Sequence, residues 1–307
     1  MTVALVMFVA HSVALAKPDL ASWNDGPRKD AIVSFVRDVT RRGSAGFVPP
    51  EERVAVFDND GTLWCEHPTY VQLAFLLEQV KAAAPDHPET TDLDLPALLE
   101  LAKVAESGMT VAAHEDSMRA WLETARHPRF DRPYTDLVYQ PMVELLGYLR
   151  DHGFQVYIVT GGGIEFVRVW AEEVYGVPPE HVVGTVSEVT YEVRDGEPTL
   201  VRGSKLDFVD DGPGKPVGIY RAIGRRPIAA FGNSDGDRHM LEFTAGGDGS
   251  RLSLLVHHDD AEREYAYDRA AGVGQLDVAL DQAARDGWVV VSMKDDWSRI
   301  FPFEEPR

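Results

Sequence analysis

Val54-Ala55-Val56-Phe57-Asp58-Asn59-Asp60-Gly61-Thr62 is the stretch on which the fold of this 307-residue chain turns. Four apolar residues in a row predict a short strand buried on both faces, as in a parallel sheet. The run stops at two carboxylates two positions apart, followed by Gly-Thr. Open α/β sheets collect their functional groups just past the carboxyl ends of parallel strands. Two acids placed there can divide labour, one as nucleophile and metal ligand, the other as general acid and base. Two plainer readings compete. A solvated Asp-Asn-Asp-Gly turn is common. Asp-x-Asp-Gly also opens a calcium loop, but that loop needs further oxygen ligands and a terminal Glu. Thr62-Leu63-Trp64-Cys65 follows Gly61 instead, so the calcium reading fails.

Three more elements lie downstream. Phe154–Val159 is a second apolar run, and it leads into Thr160-Gly161-Gly162-Gly163. Gly214-Lys215-Pro216 opens a helical pattern, and Ile228–Phe231 runs into Gly232-Asn233-Ser234-Asp235-Gly236-Asp237. Each is weak alone: Thr-Gly-Gly-Gly is by default a flexible turn, and an isolated Lys215 is a surface lysine. Gly214-Lys215 is not a nucleotide P-loop, because Val209 stands where its first Gly belongs and Pro216 where Ser or Thr is required.

As an ordered set, from about Arg53 to Leu241, these elements resemble the four motifs of the haloacid dehalogenase superfamily, in its phosphoserine phosphatase-like branch. The resemblance implies a doubly wound parallel α/β sheet, Rossmann-like, with an inserted helical cap. It implies magnesium-dependent hydrolysis of a small phosphorylated metabolite. Asp58 would form an aspartyl-phosphate and Asp60 would act as acid and base; dehalogenase members lack an acid at that position and P-type ATPases carry Thr. Thr160 and the Gly161 N–H would bind phosphoryl oxygens, and Lys215 would neutralise charge. Asp58, Asp60 through its carbonyl, Asn233 and Asp237 would hold Mg2+. The chain departs from the commonest pattern here, since Asn233 stands where many members carry Asp; Asp235 is an alternative ligand. Glu66 falls one residue short of a substrate-binding Glu of phosphoserine phosphatases. A phosphotransferase or mutase shares this chemistry, and a catalytically silent exported binding protein is the rival from another class.

Alternating strands and helices independently point to the same α/β class. The core is expected over 17–63 and 141–307, with a helical cap over 64–140. Helices are expected from Pro27, around Val71–Leu77, from an Asp94 cap, from a Thr110 cap through Met118, Trp121 and Leu122, at Pro141–Leu146 and at Ile164–Val174. A small β insertion turns at Asp195-Gly196, and further strands lie at Leu252–Val256 and Trp288–Val291. His257-His258-Asp259-Asp260 reads as a polar strand end, and Arg119, Arg126 and Arg129 as solvated.

With 30 Lys and Arg against 50 Asp and Glu, the net charge of −20 argues against nucleic acid or an anionic membrane as partner. The single Cys65 excludes an internal disulfide and has no zinc-site companions. Residues 1–16 resemble a signal peptide ending in Ala14-Leu15-Ala16, though without Lys or Arg at the start. Cleavage there would make the protein exported, periplasmic or secreted; without it the protein is expected in the cytoplasm. No run suffices for a membrane span, and the oligomeric state is not legible.

Overall fold

The computed structural model describes residues 20–83 and 106–306. The signal-like segment and the helix expected from Asp94 fall outside these residues.

At the centre is β1 (Val54–Phe57), paired in parallel with β2 (Gln155–Gly163) on one side and β5 (Ala229–Gly232) on the other. Further parallel pairs join β2 to β3 (Val182–Arg194), β5 to β6 (Leu252–Asp259) and β6 to β8 (Val289–Ser292). Two antiparallel strands extend the edges: β4 (Glu197–Phe208) on β3 and β7 (Ala266–Tyr267) on β6.

Side chains alternate across this sheet, and both faces are dry. Ala55 and Phe57 point into one hydrophobic cluster, Val54 and Val56 into another. The first is covered by α1 (Pro27–Thr40), through Ile32, Phe35, Val36 and Val39, and by α4 (Gln140–Asp151), through Met142, Leu145, Leu146 and Leu149. The second is covered by α7 (Gly214–Ala222), α8 (Arg238–Ala245) and α9 (Val278–Asp286), through Ile219, Met240, Leu241, Ala279 and Ala283. Burial on both faces explains why β1 reads as an unbroken apolar run. The strand order reverses at β1, so the loops leaving β1, β2 and β5 open onto one crevice.

Between β1 and α4 lie α2 (Val71–Ala83) and α3 (Val111–Thr124). Thr110 caps α3 as its sequence suggests, its side chain accepting the Ala113 N–H at 3.1 Å.

Three elements differ from expectation. The helix expected over 164–174 is broken into α5 (Ile164–Arg168) and α6 (Ala171–Tyr175). The break seats the Trp170 ring on Trp64, centroids 4.3 Å apart, a packing contact that outweighs local helix preference. The glycines after Thr160 do not form a turn; β2 continues through Gly163 with a register shift, and Gly163 pairs with Thr185. The β insertion is not small but a ribbon of 13- and 12-residue strands. Its turn falls at Asp195-Gly196 as expected, both at positive φ.

Candidate active site

Backbone register sets the site. Phe57 pairs with Phe231 across β1 and β5, and their rings stack at 4.2 Å. The Asp58 N–H donates to the Phe231 carbonyl at 2.9 Å, so the loops beginning at Asp58 and Gly232 leave the sheet side by side. Lys215, one residue into α7, reaches between them. Its ammonium, 1% exposed, donates to Asp58 Oδ1 at 2.7 Å, Asp237 Oδ1 at 2.7 Å and the Val159 carbonyl at 2.8 Å. Burial opposes its charge, but the two carboxylates outweigh burial and hold Lys215 above its ordinary range.

Around Asp58 the acids are crowded. Burial first and Asp237 second push Asp58 up to about 8, against the pull of Lys215. Thr62 Oγ1 lies 3.2 Å from Asp58 Oδ2 and 3.1 Å from Asn233 Oδ1. Asp60 accepts a hydrogen bond from Trp64 Nε1 at 2.9 Å, and burial raises its pKa despite that bond. Gly61 takes φ +74, which lets the loop turn back at once; its N–H donates to the Trp64 carbonyl at 2.9 Å.

Glu66, 2% exposed, meets the loop that follows β5. Its Oε1 accepts hydrogen bonds from Asn233 Nδ2 and from the Tyr267 hydroxyl, both at 2.7 Å. Burial pushes its pKa well above the carboxylate range, eased by the Tyr267 bond. Asp237, expected among the metal ligands, has both oxygens engaged. Oδ1 takes Lys215, and Oδ2 accepts the Asn233 and Ser234 N–H groups and the Ser234 hydroxyl at 2.9–3.2 Å. These contacts hold Lys215 and the loop. Asp235, the alternative ligand, turns away and accepts N–H groups of Asp277, Val278 and Ala279 at the start of α9. At the end of β2, Thr160 is fully buried and its Oγ1 accepts the Gly162 N–H at 3.1 Å. The Gly163 N–H donates to Gln72 Oε1 at 2.8 Å, and Gly161 lines the cavity beside Asp211.

Asp58 and Asp237 pair with the one ammonium, and Asp60 and Glu66 line the same cavity. Among the described residues no three or more His, Cys, Asp or Glu form a ready metal cage. Magnesium does not require one: it favours one or two carboxylates, waters and substrate phosphate oxygens. The donor set and the excess negative charge fit a small divalent cation.

These acids open onto a cavity of about 440 Å³, within the range of small-molecule sites. Its lining also contains four charged or titratable residues that the sequence reading did not single out. Arg202 of β4 pairs with Glu106 at 3.0 Å and with Glu165 of α5, and its Nη2 donates to Ser187 Oγ at 3.1 Å. His114 of α3 lies 3.0 Å from Glu106 and 3.3 Å from Glu165. A signal for His114 was available: it shares the buried stripe of α3 with Met118, Trp121 and Leu122. His258, read as part of a polar strand end, is buried. Its Nε2 lies 2.7 Å from the Gly61 carbonyl and its Nδ1 3.2 Å from Glu264, bracing the loop that follows β1. Of the arginines expected to be solvated, Arg119 pairs with Glu115 and Asp116 on its own helix face. Arg129 instead binds the carbonyls of Ala261, Glu262 and Glu264.

Two solved structures share this fold at low identity. One is a protein of unknown function from Bordetella pertussis Tohama I, 15% identical, TM-score 0.52, covering 78% of this chain and 98% of that one. Another is a conserved functionally unknown protein from Anaerococcus prevotii DSM 20548, 17% identical, TM-score 0.56, covering 85% and 90%. A phosphoserine phosphohydrolase-like protein from Francisella tularensis subsp. tularensis SCHU S4 is 17% identical at a TM-score of 0.40, covering 67% and 88%. No curated protein matches the sequence. The haloacid dehalogenase-like hydrolase family matches residues 55–242. With the motifs of that match gathered at the carboxyl ends of β1, β2 and β5, the chain belongs to the haloacid dehalogenase-like hydrolases.

Proposed function

We propose that this chain is a magnesium-dependent phosphomonoester hydrolase acting through an aspartyl-phosphate on Asp58. The observation that carries the reading is the Lys215 ammonium held between Asp58 and Asp237, with Asp60 opening onto the same cavity. A nucleophilic carboxylate fixed by a buried cation faces a space of the right size for a small phosphate ester.

In the first step an Asp58 oxygen bonds to phosphorus while the ester P–O bond breaks. Asp60 gives its proton to the departing oxygen; burial, by raising its pKa, favours the protonated form this requires. In the second step a water oxygen attacks phosphorus, Asp60 takes the water proton, and the bond from phosphorus to Asp58 breaks. Carboxylate and acid are both restored. Thr160 and the Gly161 N–H would bind phosphoryl oxygens, and Lys215 would offset charge on the transferring group. Asp58, the Asp60 carbonyl and Asn233 Oδ1 would hold Mg2+, which when bound supplies the positive charge that lets one anion approach another.

Inorganic phosphate released from an aryl phosphate and a panel of small phosphate esters tests the reading. Release with Mg2+ and none with EDTA is expected. A folded protein that releases no phosphate from any ester contradicts it, and an isomerised or transferred phosphate in place of free phosphate indicates the mutase or phosphotransferase alternative.

A further inference from the structure

Asn233, in the loop after β5, shares the Thr62 hydroxyl with Asp58, and it brings no charge. Its amide is nonetheless committed on both sides. Oδ1 receives Thr62 Oγ1, which also lies against Asp58 Oδ2, and Nδ2 donates to Glu66 Oε1. The route from the catalytic carboxylate through Thr62 and Asn233 therefore ends on a buried carboxylate eight residues beyond Asp58. Glu66 is held in that place from several directions. Tyr267 of β7 donates its hydroxyl to the same oxygen. Gly61 and Gly274, both at positive φ, leave room where any Cβ would overlap Glu66 Oε1; at Gly61 it would also overlap Asn233 Nδ2. Because both hydrogen bonds converge on Oε1, Oε2 is the oxygen that Glu66 can present to the cavity it lines.

Among the described residues Glu66 has no basic hydrogen-bond partner, and a carboxylate so enclosed either takes up a proton or meets a cation. The Lys215 ammonium is spent on Asp58 and Asp237. We propose that Glu66 supplies to the divalent-cation site the negative charge that Asn233 lacks, the two residues acting as one ligand-bearing unit. The proposal rests on the cation-dependent reading above and departs from the substrate-binding role expected for Glu66.

The pair can be reversed without adding or removing a heavy atom. In Glu66→Gln/Asn233→Asp the carboxylate moves to position 233 and the amide to position 66, joined by the same hydrogen bond with donor and acceptor exchanged. Mn2+, a visible substitute for Mg2+, is titrated by electron paramagnetic resonance into the full chain without substrate, with melting temperatures recorded alongside. Glu66→Gln should weaken Mn2+ binding by about 10–100-fold, as loss of a supporting carboxylate does at metal sites. The double variant should bind within a few-fold of the unaltered protein. Unchanged affinity in Glu66→Gln overturns the proposal, as does a KM effect on phosphate esters with Mn2+ binding intact. A folded double variant that fails to regain binding overturns it too, and this comparison stands even where the single variant does not fold. Failure of the unaltered chain to bind Mn2+ overturns it outright. If the pattern is found in a protein that hydrolyses no phosphate ester, the hydrolase reading falls and this inference stands.

Discussion

Replacing Lys215 by Met removes the ammonium but keeps a stem of similar length in the same buried slot. Asp58 Oδ1, Asp237 Oδ1 and the Val159 carbonyl each lose a donor at 2.7–2.8 Å. The residue is 1% exposed, so water does not replace it. Removing one member of a buried ion pair typically costs about 3–5 kcal/mol, because the remaining charge is stranded. In a chain of 307 residues that corresponds to a fall in Tm of roughly 5–8 °C. The pH dependence follows from the signs. Lys215 is held above its ordinary 10.5, so in the unaltered protein its contribution is complete below that value and flat from pH 5 to 9. In the variant the two carboxylates face each other uncompensated, and Asp58, which burial and Asp237 push up to about 8, loses the opposing pull of Lys215. Protonation of Asp58 relieves the pair as pH falls. The deficit should therefore be largest at pH 9 and smallest at pH 5. Asp237→Asn added to Lys215→Met should return part of the loss by removing one stranded charge. Thermal unfolding in EDTA, followed by tryptophan fluorescence for all three proteins, measures this. A loss under 1 kcal/mol, or one that grows as pH falls, would refute the view that Lys215 is the counter-ion of a carboxylate pair.

Asp60→Asn keeps the backbone carbonyl but removes proton transfer, and should lower kcat by about 10²–10⁴-fold for esters with poor leaving groups; near-unaltered rates on such esters would assign the acid role elsewhere. Gly61→Ala places a Cβ at φ +74 against Glu66 and Asn233, and should cost about 1–3 kcal/mol in thermal melts, with an unchanged Tm counting against the loop geometry. Arg202→Met strands Glu106 and Glu165 in the lining of the cavity and should cost about 3 kcal/mol. It should raise KM for the best ester more than it lowers kcat, whereas an effect confined to kcat would mean that this part of the lining does not meet substrate.

Much of the architecture was legible because its signals are local. The run Val54–Phe57 is apolar on both faces because both faces of its strand are covered. The stripe of Ile32, Phe35, Val36 and Val39 marks α1, and Thr110 marks the start of α3. The acids after β1 and the lysine opening α7 stand at element ends, where sequence position fixes spatial position to within a residue. What escaped depends on contacts distant in sequence. Arg202 and Glu106 are 96 residues apart, and neither position carries a periodicity that points to the other. Trp170 breaks a regular helical pattern because Trp64 offers it a stacking partner. Glu66 reads as a cap-entry residue until Asn233 and Tyr267 are seen to hold its oxygen. Asp237 and Asp235 look interchangeable in a loop of Gly, Asn, Ser and Asp, and only the partners of each carboxylate separate their roles.

The covalent intermediate on Asp58 is the centre of the account, and it can be observed directly. A turnover mixture of the protein, Mg2+ and a hydrolysable phosphate ester is quenched in acid, reduced with borohydride and mapped by peptide mass spectrometry. An acyl phosphate is reduced under these conditions and a free carboxylate is not. The account predicts homoserine at position 58, its absence without substrate, and no turnover or modification in Asp58→Asn. Phosphate release with Asp58 recovered unmodified, with the modification on another residue, or with activity retained by Asp58→Asn would contradict it.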